Sequence, residues 1–388
     1  MGEVVLFGNI WHVISTPLLM ILGAIFSNTL AKKLYIRKDI SLLIYVWHTL
    51  LCIVYMNYTL TNPADSISYF INQTYRIKFG LGTDFVYYFT NILKNYIGLS
   101  YLGAFLVFNI FGASGLIIIY AVFVRMIEHK KSNQLKMIMY MFIFLPSISF
   151  WSSAIGKDAI SFLSVSIILW VAMNTNKRKK YLIVAIFLML LVRPHIAGFI
   201  VVAYTASVIF TSEVRQSKKF LYLLLLSPLT LYFINIGLNY AGLSDLSETT
   251  QYVEDRQNLH RKGQEATITF NSTFAVPIRL LSLLYRPTIF DVNSIFYLFA
   301  AIDNSILIYI TISFMVALYK NKKSPFHENR HFLWIYVFIT AISLSLVTYN
   351  MGLSLRQKWM FLPMLVYLMM SIMGKNKQIY SKKLSSSF

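Results

Sequence analysis

Apolar runs recur along this chain from end to end, each roughly 17 to 25 residues long and able to cross a bilayer core of about 30 Å. Backbone N–H and C=O groups in hydrocarbon must pair within the protein, so only helices and closed barrels can span it. A barrel needs segments of about 10 residues that alternate polar and apolar, and these runs do not alternate. The expected class is therefore an all-α polytopic integral membrane protein. Composition agrees: 57% of the 388 residues are hydrophobic and 13% charged, against about 25% charged in soluble domains. The one cysteine, Cys52, lies inside an apolar run, which excludes an intrachain disulfide and a cysteine metal site. The first run follows Glu3 and lacks a basic stretch before it, so a retained span is expected there rather than a cleaved signal.

The formal charge of +20 would suit a nucleic-acid partner, but its placement argues against one. Basic clusters at 31–38, 125–136, 176–180, 212–219, 319–330 and 374–383 hold 23 of the 35 Lys and Arg and only three acids, with Asp39 beside the first. If these clusters are cytoplasmic, the pattern is positive-inside and no nucleic acid is needed. Passing out and back between clusters gives about eleven spans (range 10–12), with the N-terminus outside and the C-terminus inside. They fall near 8–30, 40–60, 99–123, 135–151, 158–175, 178–192, 195–212, 220–241, 293–318, 332–349 and 359–373. The pair around Pro194 is short for two spans, and one long broken span competes with it. The hairpin keeps the better charge asymmetry. The chain then forms a single transmembrane domain with a first outer loop at 61–98. A large extracytoplasmic loop at 242–292 carries dense mixed charge, and "ATITF" within it alternates like a short strand.

Cations at the outer ends are what the positive-inside rule does not require. In "FWSSAIGKDAISF" (150–162) a turn over 152–156 leaves Lys157 and Asp158 in the first turn of the next helix. A helix N-terminus favours an anion, which accounts for Asp158 but not for Lys157 unless a second anion binds there. Ser152, Ser153, the backbone after Gly156 and Lys157 would form a phosphate cradle. "VRPH" presents Arg193 and His195, "LLYRPTIFD" presents Arg286, and "NMGLSLRQK" presents Arg356 and Lys358. A guanidinium at that depth is costly unless paired or wet, and it suits phosphate. Lys157, Arg193, Arg286 and Arg356 together suggest an outward-facing site for a membrane-embedded anion. Asp65, in "NPADSISYF", is a candidate general base, with His195 and His260 as alternatives. No P-loop, HExxH, GxSxG or nucleotide fingerprint is present.

"FLPSISFWSSAIGKDAISF", "LLVRPHIAGF", "YRPTIFDVNSIFYLFAAIDN" and "NMGLSLRQKWMFLPML", with "ADSISYF" upstream, resemble the Wzy-type bacterial O-antigen and capsular polysaccharide polymerases. The likeness runs over roughly residues 60–365 and rests on pattern and order. It implies a multi-pass enzyme of the bacterial inner membrane. Such an enzyme transfers a growing glycan from undecaprenyl diphosphate to a new lipid-linked repeat unit at the outer face. Its implied partners are undecaprenyl-diphosphate-linked oligosaccharide, membrane lipids and a chain-length regulator protein. On that reading Lys157, Arg193, Arg286 and Arg356 hold the donor diphosphate, and Asp65 or His195 deprotonates the acceptor hydroxyl. Cations suffice to stabilise the departing diphosphate, so no metal or other cofactor is expected. The paired Arg-x10-Gly pattern of better-studied members is absent: Arg193 meets Tyr204 and Arg286 meets Tyr297. Three alternatives stay open. They are another multi-span lipid-phosphate-dependent glycosyltransferase, a lipid-linked oligosaccharide flippase, and an O-acyltransferase using His48.

Overall fold

The computed structural model describes residues 4–62, 64–71, 78–210, 276–292, 294–320, 329–348 and 351–376, with isolated positions between 216 and 235. These residues are helical apart from loops and one two-residue antiparallel ladder, Lys130–Lys131 with Lys375–Asn376. The expected span 220–241, the "ATITF" strand and His260 lie outside the regular described segments.

In chain order the helices are α1 Ile10–Lys33, α2 Lys38–Thr61, α3 Asp65–Ile71, α4 Thr83–Asn91 and α5 Tyr101–Glu128. Next come α6 Asn133–Ile143, α7 Pro146–Trp151, α8 Lys157–Ala172, α9 Thr175–Val192 and α10 Pro194–Phe210. The last described are α11 Val276–Tyr285, α12 Ile295–Tyr319, α13 Arg330–Val347, α14 Met351–Gln357 and α15 Leu362–Ile372. Among the described residues, six stretches are long and apolar enough to cross a membrane: α1, α2, α5, α6 with α7, α12 and α13. The other expected spans are shorter helices or, in α9, begin on Lys177, Arg178, Lys179 and Lys180. This is a helical membrane protein.

The breaks follow local chemistry. The expected span 135–151 is divided because Pro146 opens α7; proline lacks an N–H and clashes with the preceding turn, so it starts helices better than it continues them. The Pro194 region folds as two helices that pack on each other, with Arg193 between them at a non-helical φ of −145° and ψ of 76°. The last expected span, 359–373, starts later than the sequence suggests. Residues Lys358–Met360 form a 3-10 turn, and α15 follows at Leu362 with Pro363 in its first turn.

α5 is the central post. It is buried nearly all round, as an all-apolar helix must be, and it packs against α8, α2 and α1. Two glycines permit this closeness. A Cβ at Gly115 would come within 2.9 Å of the Phe162 ring, and one at Gly112 within 2.1 Å of the Ser152 carbonyl. Small residues serve the same purpose wherever membrane helices approach closely.

The two ends of the bundle differ. At the basic end, Arg125 donates to Leu34 O, Lys130 Nζ donates to Ser371 O and Met373 O, and Arg330 donates to Ser371 Oγ. At the opposite end, Trp11 donates to Ile97 O, Gly82 N to Leu191 O and Tyr101 to Ser66 Oγ. The expected outer loop 61–98 forms α3, α4 and a π-helical turn, Ile92–Tyr96, at this second end.

Candidate functional site: a shared carboxylate at the end of the bundle

The stretch between α7 and α8 is held from behind. His48 on α2 bonds through Nδ1 to Asn109 Oδ1 on α5 at 2.5 Å and through Nε2 to Ser152 Oγ at 2.9 Å. Asn109 in turn donates to Thr49 Oγ1. His48 is fully buried with both ring nitrogens engaged, so it anchors the turn and has no open face for acyl transfer. Ser152 and Ser153 are also buried, and their hydroxyls donate to Ile148 O and Phe150 O. That corrects the expected cradle: both serines face the core and are spent on the preceding helix.

α8 then starts at Lys157, after Gly156. Asp158 sits in its first turn, where the helix dipole stabilises a carboxylate. Its side chain is 8% exposed and bridges two guanidiniums. Arg193 Nη2 donates to Oδ1 at 2.5 Å, and Arg356 Nε donates to Oδ2 at 3.0 Å. Arg193 Nε also donates to Ser161 Oγ, one turn along α8. Arg356 Nη1 reaches Asp65 Oδ2, at the start of α3, at 3.3 Å. Arginines distant in sequence therefore meet on the Asp158 carboxylate, and α3 joins them through Arg356. Lys157 adds a further cation beside Asp158, and both Arg193 and Lys157 act electrostatically on His195 at the start of α10.

Arg286 has a different acid partner. It forms a two-point ion pair with Asp291, which also accepts from the Thr288 N–H and hydroxyl. The hydrogen bond from Arg286 holds the Asp291 carboxyl below the usual carboxylate range. The described contacts thus gather Arg193, Arg356, Asp158 and Asp65, with Lys157 and His195 alongside, while Arg286 organises its own loop.

Next to the cluster lies an apolar cleft of about 460 Å³ between α2, α7, α12 and α14. Trp47, Tyr58, Phe150, Trp151, Phe296 and Phe299 line it. Tyr58 and Phe296 meet edge to face at 4.3 Å, joining α2 to α12. Leu50, Val54, Phe296 and Phe299 are exposed at its rim, so the cleft opens on the outside of the bundle. Trp151 belongs to both regions. It lines the cleft, it lines a narrow gap with Asp158 and Arg356, and the Arg356 guanidinium lies 5.8 Å from its ring centre, within cation–π range.

Sequence reasoning missed a second polar group. Asp303 and Asn304 lie buried on α12, and Lys358 is buried against them. Lys358 Nζ donates to Asn304 Oδ1 at 2.5 Å, Asn304 Nδ2 donates to Pro287 O, and Asp303 Oδ2 accepts from Ser147 N. The signal was present in "AIDN": an acid inside an apolar run that long marks a buried polar contact. Among the described residues, no group of three His, Cys, Asp or Glu gathers where it could hold a metal ion.

No family model matches the chain, and comparisons with curated proteins and with solved structures give no match.

Proposed function

We propose that this protein is a membrane glycosyltransferase of the polysaccharide-polymerase kind, acting on oligosaccharide repeats linked to a polyprenyl diphosphate. In this reading the basic clusters face the cytoplasm, the chain crosses about eleven times, and the Asp158 cluster lies at the outer face of a bacterial inner membrane. The observation that carries the reading is the adjacency of the two-arginine cluster to the aromatic cleft, with Trp151 shared between them. One end of that pair suits a phosphate and the other suits a hydrocarbon chain, so together they fit an anionic amphiphile. Arg193 and Arg356 neutralise the phosphates of the donor and stabilise the departing diphosphate. Asp65 is exposed beside them and accepts the proton of the acceptor hydroxyl.

The test is genetic. Deleting the gene in its own host leaves single repeat units on their carrier or core, seen as a collapsed ladder on a glycan gel. Lys157→Ala does the same at unchanged protein level, and Arg193→Ala does so with a lowered protein level, because it removes one partner of a buried pair. Full-length polymer in both variants sinks the reading. Loss of all surface glycan with precursor trapped inside the cell points to a flippase instead.

A further inference from the structure

The two carboxylates on Arg356 are held very differently. Asp158 is buried, takes the Nε edge of the guanidinium, and is shared with Arg193. Asp65 is 62% exposed, contacts only Nη1 at 3.3 Å, and sits at the start of a seven-residue helix. An exposed pair of that length is worth at most about fivefold in an equilibrium, whereas removing a partner from a buried pair costs far more. The Asp158 contact is therefore a fixture and the Asp65 contact is exchangeable.

We infer that Asp65 is a resident anion on Arg356, displaced when a phosphate-bearing lipid binds. This inference rests on the lipid-phosphate reading given above. The arriving phosphate takes the Nη1 edge, where charge-assisted N–H···O bonds to phosphate are short and strong, while the Nε edge stays on Asp158. Trp151, under the guanidinium, leads from that edge into the apolar cleft, so the lipid chain has a place to lie. The exchange does two things at once. It keeps Arg356 paired while the site is empty, and it frees the Asp65 carboxylate only when the ligand is seated.

Binding of farnesyl diphosphate to the full chain in lipid nanodiscs tests this by titration calorimetry. Asp65→Asn removes the competitor and should tighten binding by about two- to fivefold, the size of an exposed ion pair. Arg356→Gln should weaken binding by about tenfold or more, and in that background Asp65→Asn should change nothing. Inorganic pyrophosphate should bind more weakly than farnesyl diphosphate; equal affinity overturns the lipid source. An Asp65→Asn chain that binds as the wild type does, or more weakly, overturns the exchange while leaving the lipid-phosphate reading in place. Absence of binding by every variant overturns both.

Discussion

Among the described residues, the Asp158 and Asn304 clusters are built from similar side chains and solve opposite problems. Around Asp158 one carboxylate holds two arginines at the end of the bundle, with Asp65 exposed and Lys157 half-buried alongside. Around Asn304 a single lysine is sealed among Phe142, Leu145, Trp359 and Leu362, and its ammonium is bonded to a neutral amide. The first cluster lies against a cleft. The second has no room for a ligand. Location in the helix explains the difference: Asp158 is in the first turn of α8, whereas Asp303 and Asn304 sit two turns into α12. The lesson is that buried charge identifies neither stability nor function by itself. What separates the two clusters is which groups remain in contact with the outside.

Breaking the open cluster at its centre gives the largest effect. Asp158→Ala leaves two guanidiniums facing one another without their shared partner. It should cost about 3–5 kcal/mol of stability, read as a lowered unfolding midpoint in detergent, together with loss of polymer. Arg356→Lys comes next. It keeps the charge but loses the planar fork that spans Asp158 and Asp65, so farnesyl diphosphate affinity should fall about tenfold at near-normal stability. Breaking the sealed cluster sharpens the contrast. Asn304→Leu removes the acceptor of Lys358 and should cost about 1–3 kcal/mol, while the folded fraction binds farnesyl diphosphate as the wild type does. If affinity falls with it, the two clusters are one site.

The smallest effect belongs to the Arg286 loop. The folded Asp291 carboxyl is held below its ordinary value, chiefly by the Arg286 hydrogen bond. The pair therefore contributes in full above the ordinary carboxylate range and is lost as pH falls towards the lowered value. Arg286→Gln should return the Asp291 titration, followed by carboxyl carbon NMR, to the ordinary range, with polymer length unchanged. Shortened polymer would draw Arg286 into the site.

Much of this was legible in the residue order. The apolar runs declare the helical membrane class, Gly156 and Asp158 mark the start of α8, and Pro194 marks the break between α9 and α10. Singling out cations at the ends of apolar runs found Arg193 and Arg356. Their common partner was not legible, because Asp158 reads locally as a helix-start acid. Its ligands lie 35 and 198 residues away, beyond any local pattern. The inward direction of Ser152 and Ser153 was hidden for a related reason. It depends on His48 and Gly112, contributed by α2 and α5. Arg286 looked equivalent to Arg193 because both precede proline. Asp291, five residues on, gives it a different partner.

The long separation between Asp158 and Arg356 also sets an order of assembly. Arg193 follows Asp158 by 35 residues, so the first ion pair can close while synthesis continues. Arg356 emerges 198 residues after Asp158, about 10 to 40 s later at ordinary elongation rates. Until then Asp158 has one arginine, and Asp65 has none. A chain arrested before α14 thus has its first ion pair but lacks the Arg356 contacts to Asp158 and Asp65. The full cluster therefore waits on α14, and a chain that presents both arginines on Asp158 is one whose synthesis has passed Arg356.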